Sequence, residues 1–194
     1  MPSGRTHDRI TLWVLPLVAG VAFWQTRSGN ITLLVAGGFM FGGLMFGPDL
    51  DIYSRQFQRW GVLRWIWLPY QKSLRHRSFL SHGPIIGTTL RVIYLGSWLV
   101  VLAFLGLVVV AKVENMTVNW QCLGANAGRS LVLYNSQFLS LFLGLELGAM
   151  SHSLADWGSS AFKRMQKQGM RGLLSRGTIK KRKASSRVKK SKKP

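Results

Sequence analysis

Apolar positions along this chain gather into four runs separated by short polar segments, a pattern that predicts helices crossing a membrane several times. The first run, residues 10–24, is short for a span that needs roughly 17–25 residues, and Pro16 predicts a kink or a tilt within it. The polar turn 25–30 leads to a second run, 31–46, which carries Gly37, Gly38, Gly42 and Gly43. Small residues in a membrane helix let a neighbouring backbone approach closely. The run stops at Gly47-Pro48, a helix terminator, and Asp49-Leu50-Asp51 follows at once. The third run, 84–111, is the longest and is broken only by Arg91 in its first turns; the fourth, 131–150, leads directly into Ser151-His152-Ser-Leu-Ala-Asp156.

The segments between the runs differ in character. Residues 52–75 interleave Trp60, Trp65, Trp67 and Tyr70 with Arg55, Arg59, Arg64 and Lys72, which predicts an amphipathic helix lying in the headgroup plane. Nucleic-acid binding is the competing reading of such a stretch, and the long apolar flanks favour the membrane interface. Residues 112–129 read as a polar connector with weak turn signals. Asn30-Ile-Thr32 and Asn115-Met-Thr117 match the glycosylation sequon, which carries meaning only in a secretory context. The first run is preceded by Arg5, His7, Asp8 and Arg9 and followed by Trp24-Gln25-Thr26-Arg27 without a small-x-small cleavage site, so it reads as a retained membrane segment.

Charge sharpens the picture. The 194 residues carry 26 Lys and Arg against 6 Asp and Glu, yet 47% of them are hydrophobic, so basic and apolar residues must be segregated. They are. No acid follows Asp156, while Lys180-Lys-Arg-Lys183, Lys189-Lys190 and Lys192-Lys193 crowd the end. The expected organisation is an all-α polytopic membrane domain over 1–160 with about four transmembrane helices and an interfacial amphipathic helix, and a basic tail over 161–194 that stays disordered unless something anionic holds it. The positive-inside rule places the tail and the 52–75 loop in the cytoplasm. Four spans then put both termini there, and residues 25–30 and 112–129 on the far side.

The consequence concerns chemistry. The chain has four histidines, His7, His76, His82 and His152; each lies near the end of an apolar run, and three of them share that place with a carboxylate or a second histidine. With Asp49, Asp51 and Asp156 they all fall at the cytoplasmic helix ends, where one site can collect them. Imidazole with carboxylate is the donor mixture that borderline divalent ions take, zinc foremost. His152 and Asp156, at i and i+4, share a face if the fourth helix continues through them. The single Cys122 excludes an internal disulfide and a Cys-rich zinc finger. The donors suffice for two ions with three protein ligands each and open positions, the arrangement of a hydrolytic site.

Other polar residues have plainer readings. Asp8 is expected to cap the first helix. Arg91 and Glu146 sit at equal depth in their runs and are expected to form a buried pair, since an unpaired charge there is costly; Glu146 as a catalytic base is the rival. Arg77 suits either a phosphate or a headgroup anchor. Ser81 lacks the Gly-x-Ser-x-Gly elbow of a serine nucleophile.

Thr6-His7-Asp8, Pro48-Asp49-Leu50-Asp51, His76-Arg77 with Ser81-His82, and His152-Ser-Leu-Ala-Asp156 resemble, in order, the motifs of a DUF2227-like family of uncharacterised bacterial and cyanobacterial membrane metal-binding proteins. They are also similar to the wider group of inner-membrane metal-dependent hydrolases. The resemblance covers about residues 1–160. It implies that His7, Asp49, His76, His82, His152 and Asp156 are metal ligands, with Asp51 as ligand or supporting carboxylate. It further implies a distant likeness to all-helical zinc phospholipases C and nucleases, which cleave phosphodiesters. Two departures stand out: the His76 to His82 gap is one residue longer than in the hydrolase pattern, and Ile52 follows Asp51 where a His is common.

The expectation is therefore an integral protein of an inner membrane, plasma or thylakoid, with a His/Asp site on its cytoplasmic face. The site takes Zn2+, with Mn2+ or Fe2+ as alternatives. If catalytic, it hydrolyses phosphoester-type bonds, with Asp49 or Asp51 as base. The alternative is a non-catalytic assembly or scaffold protein with a structural ion. Its partners are membrane lipids and, for the tail, an anionic surface: lipid headgroups, nucleic acid or an acidic protein.

Overall fold

The structure, a computed structural model, describes residues 4–74, 76 and 78–168; Arg75, Arg77 and the Lys-rich end of the chain lie outside the described residues. The described residues are helical, with no strand among them. They fall into two units, one of residues 3–153 and one holding residues 154–168.

In the first unit, α1 (Gly4–Thr26) and α2 (Gly29–Leu44) are joined at Arg27 and Ser28, and the Ser28 hydroxyl caps α2 by accepting from the Ile31 amide. A 3₁₀ turn over Pro48–Asp51 follows α2. Next come α3 (Arg55–Gln58), a second 3₁₀ segment (Gly61–Trp67), α4 (Leu68–Ser73), α5 (Phe79–His82) and α6 (Ile86–Val113). Beyond α6 lie α7 (Trp120–Leu133) and α8 (Asn135–Gln168). The second unit is helical over its described residues, as the last part of α8.

Three helical stretches are long and apolar enough to cross a membrane: Gly4–Thr26, Ile86–Val113 and Asn135–Ser159. None of the residues in the most apolar stretch of Ile86–Val113 is buried within the protein. The second run forms the 16-residue α2. At 1.5 Å per residue it reaches about 24 Å, short of a bilayer core of about 30 Å.

The glycines of the second run serve the close approach their sequence suggests. A Cβ on Gly38 would lie 2.7 Å from the Leu141 carbonyl oxygen, and one on Gly42 2.5 Å from that of Leu145. From the other side, a Cβ on Gly144 would meet the Val35 oxygen at 2.3 Å, and one on Gly148 the Phe39 oxygen at 2.3 Å. Both helices thus carry Gly-x-x-x-Gly on the face they share, and their backbones touch.

Two expectations are corrected. Residues 52–75 form no single interfacial helix: they break into α3, a 3₁₀ segment and α4, and Phe57, Ile66, Trp67 and Tyr70 turn inward. Gly61 with φ of +54° permits one break, and Pro69 opens α4. The cause is aromatic packing. Trp67 is fully buried and meets Phe46, Trp60, Tyr70 and Tyr94 with ring centroids 5.1–5.7 Å apart. With Leu50, Phe57 and Leu145 these side chains are the core. Residues 112–129 are likewise no plain connector, since α7 starts at Trp120 with the Asn119 side chain accepting from the Cys122 amide.

Candidate metal centre

The helix end at Gly47-Pro48 delivers Asp49 and Asp51 into a 3₁₀ turn, and the turn separates their roles. The Asp51 side chain is fully buried, and its Oδ1 accepts from His76 Nδ1 at 2.9 Å. Its other oxygen accepts from the Ser81 hydroxyl at 2.5 Å and lies 3.9 Å from His82 Nδ1. Asp49 is more open, with Oδ1 at 3.7 Å from His82 Nε2 and Oδ2 at 3.1 Å from His152 Nε2.

Asp49, His76 and His82 each offer a ligand atom, and the three atoms lie within 4.8 Å of one another. Around a tetrahedral ion with ligand bonds of about 2.0–2.2 Å, donors stand about 3.3–3.6 Å apart. The set would hold an ion after drawing together by up to about 1.5 Å. Burial by itself would raise the Asp49 carboxyl; hydrogen bonding and charge from His152 and His82 override it and hold the group well below the usual carboxylate range. An ionised Asp49 is the form that ligates a cation.

His152 lies on the other side of Asp49. Its ring stacks on that of His7 with centroids 4.0 Å apart, and both residues are buried. His152 Nδ1 sits 3.5 Å from Gln56 Nε2, which donates to the Gly43 carbonyl at 2.9 Å. Gln56 reaches this place because residue 47 is glycine: a Cβ there would lie 2.2 Å from the Gln56 amide nitrogen. Six of the seven expected ligands, His7, Asp49, Asp51, His76, His82 and His152, are thus brought together in the unit of residues 3–153, while Asp156 belongs to the other unit.

The supporting residues differ from expectation. Asp8 lies inside α1 and accepts from Arg59 and Arg55, so it ties α1 to the 52–75 segment instead of capping the helix. Arg91 and Glu146 form no ion pair among the described residues. Arg91, buried, donates to the Ser81 carbonyl at 3.0 Å and to Thr88 Oγ1 at 2.9 Å. Glu146 accepts from the amide of Ile85, whose φ of +62° is rare for a β-branched residue. Both side chains line a small pocket that His82 and Ser81 also line. Gln56 escaped sequence reasoning because a lone glutamine carries no positional signal; Ser81 was visible only as a neighbour of His82.

Residues 2–166 match the family described as uncharacterized metal-binding protein (DUF2227). An uncharacterized protein of Aquifex aeolicus (strain VF5) is 37% identical over 59 residues, 30% of this chain. The match spans 41% of that relative's length. No solved structure matches.

Proposed function

The chain belongs to the DUF2227 family of uncharacterized metal-binding proteins, and from that premise we propose that it is an integral membrane protein whose ion is held by Asp49, His76 and His82 on the cytoplasmic side. The observation that carries the proposal is the convergence of those three donors to within 4.8 Å beside a buried carboxylate. Carboxylate-supported imidazole is how metal-binding histidines are commonly oriented. His7 and His152 form a second donor group across Asp49.

The membrane reading rests on three apolar helices of spanning length, with α2 as a fourth, shorter passage. The basic 52–75 segment, with Val62, Leu63, Trp65 and Leu68 exposed, meets the headgroups on the cytoplasmic side. Zinc is the ion best suited to this donor set, with Mn2+ or Fe2+ as alternatives. A bound divalent ion supplies Lewis acidity and lowers the pKa of water, so the centre suits hydrolysis of a phosphoester-type bond at the membrane surface. Asp49 and Asp51 are the candidate bases.

A second reading is favoured by His152 Nε2 standing 3.1 Å from Asp49, since it offers a fourth protein donor. Four protein ligands close a zinc shell, as in structural sites. The protein would then be an assembly or scaffold protein whose basic tail binds anionic lipid, nucleic acid or an acidic partner.

Metal analysis of the full chain purified in detergent tests the core of the proposal. Wild type is expected to retain a divalent ion, and His76→Ala, His82→Ala and His152→Ala each to lose most of it. Wild-type stoichiometry in all three variants would end it. Co2+ substitution separates the two readings, because a spectrum that responds to added small anions marks an open position.

A further inference from the structure

We infer that Asp51 sets the tautomer of both histidines of the pair, His76 directly and His82 through the hydroxyl of Ser81, so that each ring presents its Nε2 lone pair to the ion. The inference rests on the metal reading above and deepens it. His76 is the simple half: its Nδ1 lies 2.9 Å from Asp51 Oδ1, and a carboxylate oxygen only accepts, so the ring proton sits on Nδ1.

His82 is the informative half. Its Nδ1 lies 3.0 Å from Ser81 Oγ. A hydroxyl has one proton to give, and three acceptors stand within reach of that of Ser81: Asp51 Oδ2 at 2.5 Å, His82 Nδ1 at 3.0 Å and the Pro48 carbonyl at 3.4 Å. The short contact to a carboxylate wins, as charge-assisted bonds are the stronger ones. With its proton committed to Asp51, Oγ can only accept from the imidazole. His82 Nδ1 must then carry the proton, leaving Nε2, the nitrogen 3.7 Å from Asp49, as the donor to a cation.

The surroundings keep the relay in register. Ser81 is fully buried, which withholds Oγ from attack on a substrate. Its backbone is held on both sides: the amide bonds to Ser78, and the carbonyl accepts from the Arg91 guanidinium. Gly87 lets α6 pass beneath, since a Cβ there would lie 2.6 Å from that same carbonyl oxygen. Ser81 is thus a positioning residue that acts through His82.

The test uses the full chain in detergent, labelled with 15N at histidine and freed of metal by a chelator, at a pH above the ordinary imidazole range, about 8. With only four histidines the spectrum can be assigned by single variants. Long-range 1H–15N correlations are expected to show His76 and His82 as Nδ1–H tautomers. In Ser81→Ala, His82 alone is expected to lose its fixed tautomer, and Zn2+ affinity to fall about 10–100-fold, the usual effect of removing such a support. Ser81→Thr, which keeps the hydroxyl, is expected to restore both. An Nε2–H tautomer of His82 in wild type, or unchanged Zn2+ affinity in Ser81→Ala, overturns the relay and leaves the metal reading standing. A wild-type protein that takes up no Zn2+, Mn2+ or Fe2+ ends the metal reading, whatever its tautomers.

Discussion

Arg59 forks onto the carboxylate of Asp8, with Nη2 at 2.6 Å and Nη1 at 3.0 Å, and the same Nη1 donates to the Leu44 carbonyl at 2.8 Å. One guanidinium thereby ties α1, next to His7, to the last carbonyls of α2, where a cation is favoured. Arg55 reaches Asp8 through a single contact at 3.4 Å and is more exposed.

The two arginines are therefore expected to differ. Arg59→Ala should lower thermal stability in detergent by about 1–2 kcal/mol, more than an exposed pair supplies, whereas Arg55→Ala should cost under about 0.5 kcal/mol. Equal losses in the two variants would show that the forked geometry contributes nothing.

Much of this arrangement was legible in the sequence, for a physical reason. Apolar runs of spanning length and Gly-x-x-x-Gly need no tertiary knowledge, and the placement of the histidines at run ends is visible in the sequence itself. The 52–75 segment was misread because amphipathic composition does not say what the aromatic face packs against. Trp67 and Tyr70 meet Phe46 and Tyr94 instead of lipid. Sequence position near a helix start suggests a cap for Asp8, and its actual partners, Arg55 and Arg59, lie 47 and 51 residues away in sequence. Nor could spacing distinguish Asp49 from Asp51, because only burial shows that Asp51 is enclosed against His76 and Ser81 while Asp49 is more open.

The helix contact at the glycines gives a paired test. Gly144→Ala and Gly148→Ala place a methyl within 2.3 Å of a backbone oxygen, which no rotamer can relieve, whereas Gly37 has nothing within 4 Å. The first two should destabilise by about 1–3 kcal/mol through overpacking and loosen metal binding, since Gly148 precedes His152 by one helical turn. Gly37→Ala should be harmless or slightly stabilising, as Ala is the better helix former. Thermal melts of the three variants in one detergent decide the point.

Asp49 sets the acid behaviour of the metal-free protein. A carboxyl whose folded-state pKa is depressed binds its proton more readily in the unfolded chain. Its stabilisation is thus present above the ordinary carboxylate range, about 3.9, and is lost only as pH falls well below it. Wild type and Asp49→Asn should therefore differ most above about pH 5 and converge in strong acid. A difference that grows as pH falls would contradict the assignment.

Orientation is decided by Cys122, the only thiol in the sequence, which is exposed on α7. On the positive-inside rule the basic 52–75 segment and the Lys-rich end of the sequence are expected in the cytoplasm, and α6 leads from the candidate metal centre to α7. Cys122 should consequently face the opposite compartment. Intact cells treated with a membrane-impermeant maleimide are expected to label Cys122 in the native chain. In a Cys122→Ser background, a Ser185→Cys tail should be labelled only after the cells are opened. Labelling of the tail cysteine in intact cells, with Cys122 protected, would invert the chain and move the metal centre to the outer face, where the ions and substrates available to it are those of the other compartment.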